Sequence, residues 1–346
     1  MGVWYATRED VKAALDFKES ARSNTQIDRL IDAASRAVEA LCHRRFYPQV
    51  ATRYFDWPTA QTGRYWRLWL DGDELVSITT LSSGGTTIAA AGYFLEPANS
   101  GPPYTRLELD LAGGAAFGGG STHQRDITIT GVFGYSAGDE PAGALAEALD
   151  GSETGVDVTN SALIDVGHVI KVGSERMLVT GRSMLSTSQT LQAPLTASAA
   201  DVTVAVTTGS SYAVGETLLL DSERMLVVDA AGNSLTVKRA WDGTVLAAHT
   251  GSAIFAPRSL TVTRGALGTT AATHADTTAV TRHAVPPLVR QLVIAETVNA
   301  LQQEGSAYAR VVGSGEGQRE AAGRGLADLR DQVRTRYGRK ARTRVV

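Results

Sequence analysis

An internal repeat in the middle of the chain restricts the fold more than any other feature of the sequence. The hexapeptide SERMLV occupies residues 174–179 and recurs at residues 222–227. The tetrapeptide SLTV occupies residues 234–237 and recurs at residues 259–262, a shorter distance along the chain. Two different repeat distances exclude a simple tandem duplication. They indicate that one repeat unit is inserted into a hairpin turn of the other, where chains tolerate insertions.

The nested repeat predicts two small β-modules. Module 1 is discontinuous and comprises residues 145–185 and 258–284, and module 2 comprises residues 186–257 and interrupts it. Each module is close to the lower size limit for independent folding. We therefore expect the two modules to stack and form one arm.

The remaining sequence divides into a β-region and two helical ends. Residues 49–144 alternate apolar and polar side chains between turns, which predicts an antiparallel sheet with one solvent-exposed face. Strand-like runs lie at residues 67–70, 75–81, 93–96, 106–111 and 127–133. Residues 1–48 and 285–346 repeat apolar side chains at helical spacing. Helices are expected at residues 8–17, 25–46, 288–303 and 318–337.

The predicted fold class is therefore α+β multidomain. Its helical core combines the N- and C-terminal helices, and the antiparallel β-region and the two nested β-modules are inserted into it. Because this arrangement brings both chain ends together, we expect residues 1–48 and 285–346 to form one domain.

The composition excludes several protein classes. The 346 residues are 43% hydrophobic and include 33 Lys or Arg against 36 Asp or Glu, which indicates a multidomain globular protein. The single cysteine, Cys42, cannot form an internal disulfide, and no Cys/His cluster indicates a metal site. Charges near the N-terminus and the lack of a long apolar run lead us to expect no signal peptide and no membrane span.

Charge is distributed unevenly along the chain. Residues 319–346 hold nine Lys or Arg and three Asp or Glu, so the rest of the chain is acidic. A basic end of this kind is a solvated terminus, a nucleic-acid contact or a segment that binds an acidic protein surface. Since an acidic body disfavours DNA as the main partner, the favoured interpretation is protein binding.

No pattern typical of catalysis is present. The sequence has no GxSxG nucleophile motif, and Cys42 lies on the apolar face of a predicted helix, where an inert thiol is expected. The Gly-rich segment with Gly313, Gly315 and Gly317 lacks the Lys-Ser/Thr of a P-loop and is interpreted as a hinge. We expect no catalytic residue, no cofactor and no enzyme activity. The alternative, a polysaccharide hydrolase, would require a carboxylate pair that is recognisable only in space.

Two further groups of residues are candidate contact sites. Both repeats contain an Arg and a His at matching places, Arg239 with His249 and Arg264 with His274. The favoured interpretation is that they join neighbouring strands, and a ligand site is the alternative. An aromatic stretch within residues 54–69 is predicted to contribute a subunit interface, because Trp and Tyr are enriched at such surfaces. Its candidate interface residues are Trp57, Trp66 and Trp69.

The organisation of the sequence resembles the head-to-tail connector, or adaptor, family of tailed bacteriophages, particularly the larger forms in phages of actinobacteria. The resemblance is carried by TREDVKAAL, QIDRLIDAASRAVEALCHRRF, FLEPANSGPPYTRLELDL, YARVVGSGEGQREAAGRGL and GRKARTRVV. The SERMLV unit is similar to a small β-module that recurs in phage structural proteins.

The resemblance implies a non-catalytic virion protein with an all-helical connector core. Copies of the chain would form a ring, about twelvefold, between the portal protein and the stopper or tail-completion protein. DNA would pass through its channel without sequence-specific binding. The protein would lie in the virion neck at the portal vertex, be assembled in the host cytoplasm and contact no membrane.

The C-terminal helix and tail would then bind the portal. The residues implied in this contact are Leu326, Leu329, Val333, Arg334, Arg336, Tyr337, Arg339, Lys340, Arg342 and Arg344. Two alternatives would use the β-modules instead. One is a tail or fibre-type protein that binds a host surface, and the other is a capsid-decorating protein.

Overall fold

The structure is a computed structural model that describes residues 2–15, 24–58, 64–305, 311–312, 319–320 and 324–339. The described chain contains four α-helices: α1 (Arg8–Leu15), α2 (Asn24–Cys42), α3 (Pro287–Gly305) and α4 (Arg324–Tyr337). It divides into two compact units. The smaller unit comprises Glu39–Gly138, Leu267–Thr269 and Tyr337–Val346, and the larger unit comprises Met1–Val38, Asp139–Ala266 and Thr270–Arg336.

The smaller unit contains two antiparallel sheets. Its strands are β1 (Gln49–Phe55), β2 (Arg67–Trp69), β3 (Leu75–Ser83), β4 (Thr86–Thr87), β5 (Tyr93–Glu96), β6 (Arg106–Leu109) and β7 (Ile127–Phe133). One sheet has the order β1-β7-β3-β4 and the other has the order β2-β6-β5. Alternate residues of β7 are buried, as expected for a strand with one face in the core. Ile127, Ile129 and Phe133 from β7 join Leu68 and Leu107 in that core.

The larger unit is built on one ten-stranded antiparallel sheet. Its strands are β8 (Asp139–Ala144), β9 (Gly155–Asp157), β10 (Val169–Val172), β11 (Glu175–Thr190), β12 (Thr203–Ala205), β13 (Thr217–Leu220), β14 (Glu223–Ala231), β15 (Ser234–Lys238), β16 (Ala253–Thr263) and β17 (Ala279–His283). The order is β12-β15-β14-β13-β16-β11-β10-β17-β8, and β9 pairs with β16. A separate pair, β18 (Val311–Val312) and β19 (Arg319–Glu320), is also antiparallel.

Two hydrophobic cores lie along the ten-stranded sheet. The first core includes Met177, Val179 and Leu260, and the second core includes Met225, Val227 and Leu235. These side chains are equivalent positions of the sequence repeat. The long strands β11 and β16 pair along most of their length, with three register shifts. Strand β16 contributes side chains to both cores, whereas those of β11 belong to the first core. The module boundaries predicted from the repeat remain a prediction.

The predicted α+β fold with a helical core is wrong. The described residues form mostly antiparallel sheet, and their four helices do not make a core of their own. The physical reason is that the strands supply most of the buried apolar side chains. Helices α2 and α3 also have buried apolar faces, which include Ile27, Ile31, Val289 and Leu292, whereas α1 and α4 bury few such side chains. Three large apolar clusters come from the sheets and from the loops that connect their strands.

Charged side chains join the helices of the larger unit. The guanidinium of Arg290 on α3 donates two hydrogen bonds to the carboxylate of Asp10 on α1, at 2.6 and 2.9 Å. The guanidinium of Arg330 on α4 likewise donates to Glu296 on α3, at 2.5 and 2.7 Å. Bidentate pairs of this kind have a defined geometry. They hold α3 against helices from the two ends of the sequence.

Candidate functional site

The SERMLV repeat places a charged glutamate inside each module. In module 2 the carboxylate of Glu223 accepts hydrogen bonds from the Arg239 guanidinium at 2.7 and 2.8 Å and from His249 Nε2 at 2.9 Å. The backbone N–H groups of Ala240 and Ala247 donate to the same carboxylate at 2.9 and 3.0 Å. Burial raises the pKa of Glu223, but these donors outweigh burial and lower its pKa to about 2.

Module 1 repeats this arrangement. The carboxylate of Glu175 accepts from the Arg264 guanidinium at 2.7 and 2.9 Å and from His274 Nε2 at 2.8 Å. The backbone N–H groups of Gly265 and Ala272 donate at 2.9 and 3.1 Å. Here too burial raises the pKa of the carboxyl, and the donors lower it to about 2. We call these two clusters the carboxylate clamps.

The clamps favour the structural interpretation of the repeated Arg and His residues. Both carboxylates have side-chain exposures of 0%, and five donor contacts satisfy each of them. Arg239 also donates to the backbone carbonyls of Asp201 and Ala247, so its guanidinium is used within the module. A group whose hydrogen-bonding capacity is filled inside the chain has none left for a ligand. The clamps therefore fix the turns that follow β15 and β16.

One difference separates the two clamps. In module 2 the ring nitrogen Nδ1 of His249 contacts a carboxylate oxygen of Asp221 at 2.7 Å, and the hydroxyl of Ser252 donates to the same oxygen at 2.7 Å. Gly173 stands at the equivalent position of module 1. Both Asp221 and Gly173 have a positive φ, 51° and 59°, so the turn is shared although the side chain is not. The clamp of module 2 is the more extensively bonded one.

The turn after the module 2 clamp contacts helix α1. The indole Nε1 of Trp241 donates to the carboxylate of Glu9 at 3.0 Å, and the ammonium of Lys12 donates to Asp242 at 2.5 Å. Burial raises the pKa of Glu9 in this contact. Two neighbouring residues of one turn thus bind two residues one helical turn apart. The clamp, which positions this turn, also positions module 2 against α1.

A cavity of about 200 Å³ lies beside this contact. Four cations line it: Arg8, Lys12, Arg182 and Arg224. Each has a carboxylate partner within the larger unit. Arg182, for example, lies 2.9 Å from the buried carboxylate of Asp165. The cavity is therefore lined by internal ion pairs, and we assign no ligand to it.

Helix α4 carries most of the residues predicted to bind the portal. Val333 is fully buried within the larger unit, and Leu326 and Leu329 are half-buried. Arg334 is exposed, and its guanidinium lies 3.0 Å from the carboxylate of Asp331, which is also exposed. Arg336 is exposed as well. Arg334 and Arg336 are thus accessible, whereas the apolar side chains of α4 serve largely to hold the helix in place.

Tyr337 and the two described residues that follow it belong to the smaller unit. Tyr337 is buried there and packs edge-on against Phe46 and Tyr135, with ring centroids 6.0 and 5.8 Å apart. The backbone N–H of Arg339 donates to the carbonyl of Cys42 at 2.9 Å, and its guanidinium donates to the carbonyl of Gly72 at 2.8 Å. Lys340, Arg342 and Arg344 lie outside the described residues, as do the predicted hinge residues Gly313, Gly315 and Gly317.

The three tryptophans predicted at a subunit interface are half-buried. Trp57 and Trp66 pack against the core of the smaller unit, and the Arg106 guanidinium lies 5.4 Å from the ring of Trp69. Other large apolar side chains of this unit are more accessible. They are Tyr54, Tyr65, Phe94 and Leu111, each more than half exposed. Two of them, Phe94 and Leu111, lie outside the aromatic stretch that the sequence indicated.

The described parts of the chain contain neither a metal-binding cluster nor a membrane-spanning helix, and their cysteine is buried. No group of three or more His, Cys, Asp or Glu side chains there could hold a metal ion. Cys42 is buried, and burial raises the pKa of its thiol, which disfavours the reactive thiolate. No described helix combines the length and apolar character needed to cross a bilayer.

Comparison with known proteins identified no relative. No family model matches the chain, and no similar curated protein or solved structure was found.

Proposed function

We propose that the chain is a virion structural protein of a tailed-bacteriophage neck. In this proposal it is a head-to-tail connector that forms a ring between the portal protein and the stopper or tail-completion protein. The observation that carries the proposal is that Arg334 and Arg336 are exposed on α4, at the start of a basic chain end. Arg334 is exposed on α4, while the helix is anchored by Val333 and by the Arg330–Glu296 pair.

The charge distribution supports a protein partner for this end of the chain. Three further cations, Lys340, Arg342 and Arg344, follow within the last seven residues of the sequence. A fixed helix that leads into a short basic segment suits an acidic partner surface, because opposite charges steer and orient the contact. The acidic remainder of the chain would repel DNA phosphates, so DNA would pass a ring of such subunits without binding tightly.

Self-association would use the exposed apolar side chains of the smaller unit. Phe94 lies on the edge strand β5, next to Glu108 of β6, and Tyr54 lies on the edge strand β1. Exposed aromatic side chains are typical of protein interfaces. In a ring, weak contacts of this kind are repeated and gain strength from multivalency.

The portal contact is tested by neutralising the basic end without touching the anchored helix. The variant Lys340→Gln/Arg342→Gln/Arg344→Gln should bind purified portal rings at least about tenfold more weakly, because repeated ion pairs are lost around the ring. The matched control is Arg45→Gln/Arg64→Gln/Arg125→Gln, which removes three exposed cations of the smaller unit. Equal binding by the first variant and the unchanged chain, measured by sedimentation, would refute the portal contact.

Copy number distinguishes the connector from its alternatives. Quantitative mass spectrometry of purified particles should find one copy of this chain per portal subunit. Hundreds of copies would instead identify a capsid-decorating protein, and absence from particles would reject a virion role. Glycan or cell-surface binding by the intact chain, together with a tail location, would favour the host-binding alternative.

A further inference from the structure

A second cavity of about 440 Å³ lies in the larger unit beside the start of α3. Its volume is in the range of sites that hold small molecules. Part of its lining is apolar, and part consists of basic side chains. The apolar contributors include Tyr5, Val285 and Ile294, and the basic ones are His168, Arg282, His283 and Arg290.

Arg282 is the least satisfied of these basic groups. Its side chain is only 9% exposed, and its Nε–H has no acceptor within the described structure. Burial and the neighbouring charge of Arg290 lower the pKa of the Arg282 guanidinium to about 10. A buried donor without an acceptor is costly, and native structures retain few of them. Arg282 therefore retains a buried donor that a further acceptor in the cavity would satisfy.

His168 also lines this cavity and has a hydrogen-bond donor. The backbone N–H of Asp165 donates to Nδ1 of His168 at 3.2 Å, which leaves the ring proton of the neutral form on Nε2. Burial lowers the pKa of His168 to about 4, so the ring is neutral at pH 7. A neutral imidazole can donate from Nε2 without adding a charge.

The neighbouring carboxylates differ in how firmly they are held. Asp10 forms two hydrogen bonds with Arg290 and is only 18% exposed. Glu140 pairs with Arg282 but is 38% exposed, so its side chain can move into solvent. Of the two, the Glu140 carboxylate is the one that an incoming anion can displace.

We propose that this cavity binds a carboxylate that carries a small apolar body. The carboxylate would replace that of Glu140 and accept hydrogen bonds from Arg282 and His168. The apolar body would lie against Tyr5, Val285 and Ile294. Such a ligand could be a free organic acid or the C-terminal residue of a partner chain, since both present the same chemistry. The inference is independent of the proposed connector function.

The test compares a carboxylate with a neutral molecule of the same shape. Isothermal titration calorimetry of the full chain should show benzoate binding and at least about tenfold weaker binding of benzamide, because a charge-assisted hydrogen bond is lost. Arg282→Gln should weaken benzoate binding by a similar factor. Glu140→Gln should strengthen it by about threefold or more, because the competing carboxylate is removed. Glu147→Gln, which changes an exposed carboxylate outside the cavity lining, should have no effect.

The opposite effects of two variants keep the proposal testable if Arg282→Gln does not fold. Weaker or unchanged binding in Glu140→Gln would overturn it, as would equal binding of benzoate and benzamide or no binding of either. The source of the carboxylate is distinguished by a short peptide that ends in phenylalanine. Tighter binding of the peptide with a free C-terminus than of its amidated form and of benzoate would indicate a partner chain. Binding of benzoate alone would indicate a free acid.

Discussion

Among single residues, Glu175 and Glu223 show how a charge is stabilised within this β-sheet. Transfer of an isolated carboxylate into a protein interior is strongly unfavourable, and it is tolerated only when partners compensate for the lost water. Each clamp supplies an arginine, a histidine and two backbone N–H groups. The two glutamates lie at the start of β11 and β14, and their partners lie in the turns after β16 and β15. Each clamp therefore holds one turn against the strand that carries the glutamate.

Substitution of a clamp carboxylate should be strongly destabilising. Glu223→Gln keeps the side-chain size but leaves the buried Arg239 guanidinium without its counter-ion. We expect the free energy of unfolding to fall by about 3 kcal/mol, as for other broken buried pairs. Urea denaturation measures this change, with the exposed Glu147→Gln as control. A loss no larger than that of the control would show that the clamp does not contribute.

The same carboxylates predict a dependence of stability on pH. Their pKa of about 2 in the folded protein lies below the usual value of 4.5, so their contribution is complete above pH 4.5 and is lost as the pH falls towards 2. This shift corresponds to about 3 kcal/mol per clamp. Urea denaturation between pH 6 and pH 2.5 should show the loss. The Glu223→Gln variant should lose less over this range, and an identical pH profile would contradict the assignment.

At the level of elements, most strands of the smaller unit were predictable, although β1 and β4 were not, and the terminal helices were only partly predictable. The strand-like runs at 67–70, 75–81, 93–96 and 127–133 coincide with β2, β3, β5 and β7 to within two residues at each end. Alternation along a strand is local, and it reports directly which face is buried. The helix expected at 318–337 instead begins at Arg324, after Gly323. Glycine is a poor helix former, so the start of this helix was harder to predict.

Two adjacent residues of α4 should differ sharply in their effect on stability. Val333 is fully buried, so Val333→Ala should lower the free energy of unfolding by about 2 kcal/mol through lost packing. Arg334→Ala removes an exposed side chain whose ion-pair partner is also exposed. It should change the free energy of unfolding by less than about 0.5 kcal/mol. Chemical denaturation of both variants provides the comparison. Similar losses in the two would show that the helix is not anchored through its apolar face.

At the level of the whole molecule, the nested repeat becomes one continuous sheet. Strand β16 runs through both cores of the larger unit, and register shifts interrupt its pairing with β11 between the cores. Such shifts bend and twist strands locally. Strand β8 lies outside the predicted boundaries of module 1, yet it pairs with β17 of that module.

Limited proteolysis should therefore release a fragment with β8 attached. We expect a resistant fragment of residues 139–284, because β8 completes the edge of the ten-stranded sheet. A recombinant fragment of residues 145–284, which lacks β8, should be less stable in urea than one of residues 139–284. Mass spectrometry of the digest identifies the boundaries. General degradation, or equal stability of the two fragments, would contradict this organisation.

The sequence by itself determined the positions that the two repeats share and most strands of the smaller unit, because both depend on short-range patterns. Only the tertiary structure decided that the repeated Arg and His residues share a buried glutamate and that Tyr5, His168 and Arg282 line one cavity. It also decided that the described residues form mostly antiparallel sheet and not the expected helical core. The physical reason is that burial depends on which distant segments pack together, and local periodicity carries no information about those partners.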